Sequence, residues 1–251
     1  MSVGDFAGRV AAAATGTSSD SLADLVAEFG FGARARLRYW RCPDRVLSVR
    51  TPTGDTMRWL ATGTADARRG LGFQAEQAVV RWLFDDLGGA TLWDIGSYHG
   101  NYAVAAAVGG AAQVRAFEPH PEDRGRLQTN VALNNVGGCV TVDGRALGAT
   151  TAETTVASGG GARLGDGGAA VQVVPGDSIA EQPDLVKIDV EGHGPAVLDG
   201  LAGTLAGVRR IVVETHDGTS PRVREQLRNA GFAVETVPCS RPHTYVGGVR
   251  R

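Results

Sequence analysis

The chain has 251 residues and a mass of 26.0 kDa, is 43% apolar and carries a formal net charge of -2. That suffices for one full-sized α/β domain with an extension. The near-neutral balance excludes binding driven by phosphate neutralisation, so neither nucleic acid nor an anionic membrane is expected as a partner.

In chain order, residues 1–30 are expected to be helical, with N-cap candidates at Ser19 to Ser21 and a stop at Gly30. Residues 35–42, 45–51 and 56–62 alternate apolar and polar. They predict a small antiparallel meander turning at Pro43-Asp44 and Thr53-Gly54-Asp55. Residues 63–72 read as a linker, so the expected organisation is an N-terminal extension at 1–70 and a main domain at 71–251. Residues 73–89 predict one helix with Ala75, Val79, Trp82, Leu83 and Leu87 on a single face and Gly88-Gly89 as its stop.

From there strands and helices alternate: strand 90–95, helix 100–108, strand 113–118, helix 121–134 and strand 139–143. Pro121 suits the first helical position after His120. Short strands at 153–157 and 170–174 flank a glycine-rich loop. Strand 184–190 leads to a helix beginning near Pro195, and strand 209–214 leads to a helix at 221–230. Two segments, 231–238 and 243–250, close the chain as an antiparallel pair. Such alternation implies a mostly parallel sheet covered by helices on both faces.

Cys42, Cys139 and Cys239 are few and far apart, which fits a reducing compartment and excludes a C-x-x-C zinc site. The N-terminus has Asp5 and Arg9 inside its apolar run and lacks a basic signal-peptide start. A cytoplasmic protein is expected.

The chemistry concentrates at strand ends. "TLWDIGSYHGNYAVAAA" reads as strand, turn and helix, with Asp94 where the strand ends and Gly96 and Gly100 in the turn. Glu118 ends the next strand. A glycine turn followed by an acid about 20 residues on is how α/β sheets hold the ribose of a nucleoside cofactor. The turn is D-x-G-x-x-x-G rather than G-x-G-x-x-G, and an acid at the strand end repels a pyrophosphate while suiting a cationic ligand. S-adenosylmethionine has an adenosine, an ammonium and a sulfonium, and no phosphate. In "DLVKIDVEGHG", Lys187 and Asp189 share one strand face and Glu191 lies just beyond. Lys187 is the chain's single lysine among many arginines. In "VVETHDG", Glu214 ends a buried strand and His216 follows. No metal centre is expected; a divalent ion held by Asp189 and Glu214 is the one arrangement left open.

"WDIGSYHGNY", "AFEPHPEDRGRLQTNVALNN", "VKIDVEGHGPAVLDG" and "IVVETH" together resemble, in order and spacing over roughly residues 73–216, the FkbM-type S-adenosylmethionine-dependent methyltransferases. The resemblance implies a Rossmann-like, seven-stranded methyltransferase sheet with an antiparallel C-terminal strand. It also implies methylation of a substrate oxygen. It places Asp94, Gly96, Ser97, Gly100 and Asn101 in the cofactor loop and Glu118 and Pro119 at the ribose. Asp143, Arg145 and Ala146 fall near the adenine. Lys187, Asp189 and Glu191 line the reaction centre, Asp189 also within reach of the cofactor, with Glu214 and His216 on the adjacent rim. Members commonly carry a second acid in E-G-x-E, where this chain has Gly194, and Ser97-Tyr98-His99 is bulkier than the usual turn.

The expected reaction is methyl transfer from S-adenosylmethionine to a hydroxyl of a small molecule or sugar. His216 is the better-matched proton acceptor and Glu191 its rival. The alternatives are a nicotinamide-dependent oxidoreductase on the same kind of sheet and a degenerate cofactor-binding protein without turnover. Oligomeric state is not legible in the sequence.

Overall fold

The computed structural model describes residues 45–157, 163–165, 167–216, 218–239 and 244–250. The expected helix within 1–30, the first meander strand at 35–42 and most of the glycine-rich loop lie outside these residues. The chain divides into two compact units, Met1–Val49 with Trp59–Gly72, and Arg50–Arg58 with Phe73–Arg251.

The two later meander segments form a two-stranded sheet, β1 (Val46–Arg50) and β2 (Thr56–Leu60). Gly54 supplies the positive φ, 106°, that its turn requires. The expected linker is instead a helix, α1 (Thr64–Gly72). Its polar residues hid it, but they are used: Asp66 accepts bonds from the Thr62 amide and hydroxyl, and the buried Trp59 indole donates to the Asp66 carbonyl at 3.1 Å. The single helix expected over 73–89 is broken into a 3-10 turn, α2 (Gln77–Leu83) and a second 3-10 turn.

The second unit is built on a seven-stranded sheet. Its strands are β3 (Thr91–Ile95), β4 (Gln113–Phe117), β5 (Val140–Asp143), β9 (Leu185–Ile188), β10 (Arg210–Thr215), β11 (Ala233–Val237) and β12 (Thr244–Val249), in the order β11-β12-β10-β9-β3-β4-β5. Helices α3 (Asn101–Val108), α4 (Pro121–Leu133), α5 (Gly194–Asp199) and α6 (Ser220–Asn229) connect them. All strand pairs are parallel except those made by β12, which runs antiparallel between β10 and β11. The expected methyltransferase sheet is therefore present. The short strands β6 (Ala146–Leu147), β7 (Ala152–Val156) and β8 (Ala169–Val174) stand apart as a three-stranded sheet of order β6-β8-β7.

All four residues of the central strand β9 are buried, as are four of five in β3. This is the signature of strands covered on both faces. Trp93, Ile95, Phe117, Val186, Ile188 and Val213 anchor the core between sheet and helices. The chain leaves β3 toward β4 and β5 on one side, then returns through β9 to β10 on the other. The order thus reverses between β3 and β9, and in open α/β sheets a ligand crevice opens at the carboxyl ends of the strands at such a reversal.

Candidate functional site

At that reversal the parallel register sets Asp94 of β3 directly beside Lys187 of β9. Both are buried. The Lys187 Nζ lies 3.2 Å from Asp94 Oδ1 and 3.5 Å from Asp189 Oδ2, donates to the Gly96 carbonyl at 2.8 Å, and sits 5.2 Å from the centre of the Tyr102 ring. Burial opposes its charge, but the Asp94 and Asp189 carboxylates outweigh that and raise the ammonium above the usual lysine range. Asp189 is correspondingly held well below the usual carboxylate range: burial works against this, while Lys187 and then His216 lower it. The cation's partners are thus Asp94 and Asp189; neither Glu191 nor Glu214 forms an ion pair with it.

Asp94 does a second task. Its Oδ2 accepts the Ala103 amide at 3.1 Å, satisfying a donor in the first turn of α3 that the helix itself leaves open. Fully buried, Asp94 ties strand, helix and Lys187 together. The turn between them is tight. The Gly96 and Ser97 amides donate to the Phe117 carbonyl at 3.1 and 3.0 Å, and the Ser97 hydroxyl donates to the Asp94 carbonyl at 2.6 Å. Gly96 has φ 78°, and a Cβ there would lie 1.9 Å from the Asp189 carbonyl oxygen. Gly100, at φ 91°, is the N-cap of α3, and Asn101 opens that helix.

Glu118 follows β4 and is 7% exposed. Its carboxylate receives the Tyr98 and His120 amides, each at 2.8 Å, one on each oxygen. Burial raises this carboxyl to about 7, although the two amides, His120 first, pull it down. The Pro119 carbonyl accepts a bond from Arg124 at 2.7 Å. Beyond β5, Asp143 binds Arg145 through both oxygens, at 2.9 and 2.6 Å, and Arg115 at 3.3 Å. Burial opposes the Asp143 charge, but the Arg145 bonds prevail and lower it. Ala146 is buried at the start of β6.

The last strands complete a rim. The His216 Nε2 lies 3.6 Å from both Asp189 Oδ1 and Glu214 Oε1, and its Nδ1 lies 3.4 Å from Glu191. Asp189 foremost, then Glu214 and Glu191, raise the imidazole above its ordinary value against the opposing effect of burial. Asp189, Glu214 and His216 each offer a ligand atom within 4.8 Å of the others, a set of hard oxygens and an imidazole able to hold a divalent cation. Gly194, where a second acid was looked for, is buried at the start of α5, and a Cβ there would meet Val213 at 3.3 Å.

Three residues that sequence reasoning did not assign to the site adjoin it. The Tyr245 hydroxyl donates to Glu214 at 2.7 Å, the Tyr102 hydroxyl donates to Glu76 at 2.8 Å, and all four side chains are buried. Both phenols are raised above the usual tyrosine range, foremost by burial. Tyr245 faces Glu214 because β12 is inserted beside β10 in register. Strand insertion from the far end of the chain leaves no local signal.

Residues 94–234, more than half of the chain, match the model of the methyltransferase FkbM domain. The chain belongs to the FkbM methyltransferase family. It is 28% identical over 235 residues to the hexuronic acid methyltransferase AglP of Haloferax volcanii, covering 86% of this chain and 96% of that protein. Among solved structures it is similar to magnesium protoporphyrin IX methyltransferase (ChlM) from Synechocystis PCC 6803. With bound S-adenosylmethionine that protein matches at a TM-score of 0.51 and 16% identity over 88% of this chain and 97% of that one. Its S-adenosylhomocysteine complex matches at 0.50 and 15% identity over 90% and 99%. These last two likenesses are of fold.

The FkbM protein is an S-adenosylmethionine-dependent methyltransferase. The chemistry of its strand ends fits that cofactor. Glu118 offers a buried carboxylate whose oxygens keep a lone pair each for hydroxyl donors, and acids rather than phosphate-binding amides border the β3 turn. The nicotinamide alternative falls with the family assignment.

Proposed function

We propose that this FkbM protein methylates a hydroxyl oxygen of a small polyhydroxylated molecule of sugar type. The methyltransferase activity is assigned to residues 71–251, and 1–70 to an N-terminal extension. The observation that carries this reading is the position of His216 among Asp189, Glu191 and Glu214 at the carboxyl ends of β9 and β10. The hexuronic acid methyltransferase named above points to the same substrate class.

S-adenosylmethionine, when bound, supplies a methyl group on an already activated sulfonium. The chain's residues have three remaining tasks. Glu118 and the Gly96–Gly100 turn hold the nucleoside, with Pro119 beside the ribose and Asp143, Arg145 and Ala146 beside the adenine. Lys187 and Asp189 fix the floor of the crevice. An acceptor hydroxyl must lose its proton as its oxygen bonds to carbon, and the His216 imidazole takes that proton while the neighbouring carboxylates stabilise the resulting imidazolium. Glu191, 3.4 Å from Nδ1, orients the ring and is the rival acceptor.

A second reading rests on the ligand geometry of Asp189, Glu214 and His216: a divalent cation there would orient the acceptor oxygen in place of a free base. Turnover measured with and without chelator separates the two, since the base reading expects no loss. The wide spacing of Cys42, Cys139 and Cys239 fits a cytoplasmic setting, and among the described residues no helix is long and apolar enough to cross a membrane.

The test is incubation with isotopically labelled donor and a panel of sugars, uronic acids and polyols. An O-methylated product supports the reading. A panel without product, beside tight S-adenosylhomocysteine binding, would favour the non-catalytic alternative.

A further inference from the structure

Behind the cofactor turn lies a buried cluster for which the reaction has no use. His99, His120 and Asp123 are 2%, 7% and 6% exposed. The Asp123 carboxylate reaches His99 Nε2 at 3.0 Å with one oxygen and His120 Nδ1 at 3.4 Å with the other. Burying three such side chains is costly unless they are paired, so their convergence has a purpose.

Asp123 occupies the third position of α4, with His120 as N-cap. An acid at that position usually reaches back to the N-cap amide. Here the N-cap amide goes to Glu118 instead, and Asp123 Oδ2 faces the His120 ring at 3.4 Å without a hydrogen bond. His99 directly follows Tyr98, whose amide is the other donor to Glu118. Asp123 therefore joins the two segments that supply both amides gripping Glu118.

The same face of α4 continues the joint. Asp123, Leu127 and Asn130 are spaced i, i+4 and i+7 and all are buried. Asn130 donates to the His99 carbonyl at 2.9 Å, and Leu127 packs so closely under Gly100 that a Cβ there would lie 2.4 Å away. One helix face thus holds the whole cofactor turn against the end of β4.

We propose that Asp123 is a positioning residue for cofactor binding, acting through His99 and His120 on the Tyr98 and His120 amides that orient Glu118. This inference rests on the placement of Glu118 at the cofactor ribose. The charged groups facing Glu118 are Asp123 and Arg124 from α4 and Lys187 from β9.

The test is titration of S-adenosylhomocysteine into the parent chain, Asp123→Asn, Glu118→Gln and the double variant. Each single variant is expected to bind about tenfold more weakly, the effect of a lost charge-assisted hydrogen bond. The double variant should bind no more than about twofold more weakly than Glu118→Gln alone, because the two act as one unit. The pH midpoint of binding should also fall in Asp123→Asn, since the Asp123 charge raises the Glu118 carboxyl. A merely structural role would leave the two substitutions additive; the midpoint reports only the Asp123 charge. His99→Ala, which removes one arm and is expected to weaken binding about threefold, serves if Asp123→Asn does not fold. Unchanged affinity in the folded variant, or full additivity in the double variant, overturns the inference. If Glu118→Gln binds as tightly as the parent chain, the placement of Glu118 fails and this inference with it. A weakened Glu118→Gln beside an unaffected Asp123→Asn overturns this inference alone.

Discussion

With Glu118 proposed at the cofactor ribose, a carboxyl raised to about 7 should make cofactor binding sensitive to pH near neutrality. Glu118 is harder to ionise in the fold than in the unfolded chain. Its contribution to stability is therefore fully present below the ordinary carboxyl value and is lost as pH rises through about 7. Ribose hydroxyls donate to the ionised form, so S-adenosylhomocysteine affinity should strengthen as pH rises through the same range, by up to roughly tenfold per unit below the midpoint. Calorimetric titration at about pH 6 and about pH 8 checks this, and Glu118→Gln should flatten the dependence. Lys187 gives a second expectation. Its slot is bounded by the Gly96 carbonyl, two carboxylates and the Tyr102 ring. A compact ammonium fits there and a planar guanidinium does not. Lys187→Arg should reduce turnover despite keeping the charge, and Lys187→Met, which leaves Asp94 buried without its cation, should cost about 3–5 kcal/mol in denaturant unfolding. His216 must be neutral to accept a proton, and its neighbours raise it. Turnover at saturating substrate should then rise with pH through a value above the ordinary imidazole range, not within it, and His216→Ala should remove that step. In the fold the imidazolium is the favoured form, so its stabilising contribution is present below the ordinary imidazole value and fades as pH climbs through the raised one.

Between elements, the turns decide more than the strands. Gly96 is required both by its positive φ and by the Asp189 carbonyl against it. Gly96→Ala should exceed the roughly 1–2 kcal/mol of left-handed backbone strain alone, seen as a lowered unfolding midpoint with loss of S-adenosylhomocysteine binding. Tyr245→Phe deprives the buried Glu214 of a donor and should cost about 1–3 kcal/mol, with β12 otherwise intact. The glycine turn, the acid at the end of β4 and the acid–lysine strand were legible because their periodicity and spacing are local. The helix α1 was not, since its arginines and glycines mask its periodicity and the Trp59 indole that packs on it lies in another element. That Asp94 is a partner of Lys187 was not legible for a related reason. Asp94 becomes its neighbour through the parallel register of β3 and β9, which pairs residues 93 positions apart.

At the scale of the molecule, one topological fact organises the rest. The strand order reverses between β3 and β9, and every charged side chain of the candidate site gathers at the carboxyl ends on either side of that reversal. Alternation of strands and helices was enough to expect a mostly parallel sheet, because each connection in it is local. The antiparallel last strand was expected, whereas its insertion between β10 and β11, which brings Tyr245 to Glu214, was not legible, since it depends on that strand folding back beside β10. Methyl transfer to a hydroxyl oxygen can be followed by supplying donor with a carbon-13 methyl group together with the polyol panel and locating the label in the product by nuclear magnetic resonance. A methyl ether carbon is expected, one label per product, with the signal abolished in the paired His216→Ala and Glu191→Gln variant. A label found on nitrogen or carbon, or undiminished ether formation in that variant, would contradict it.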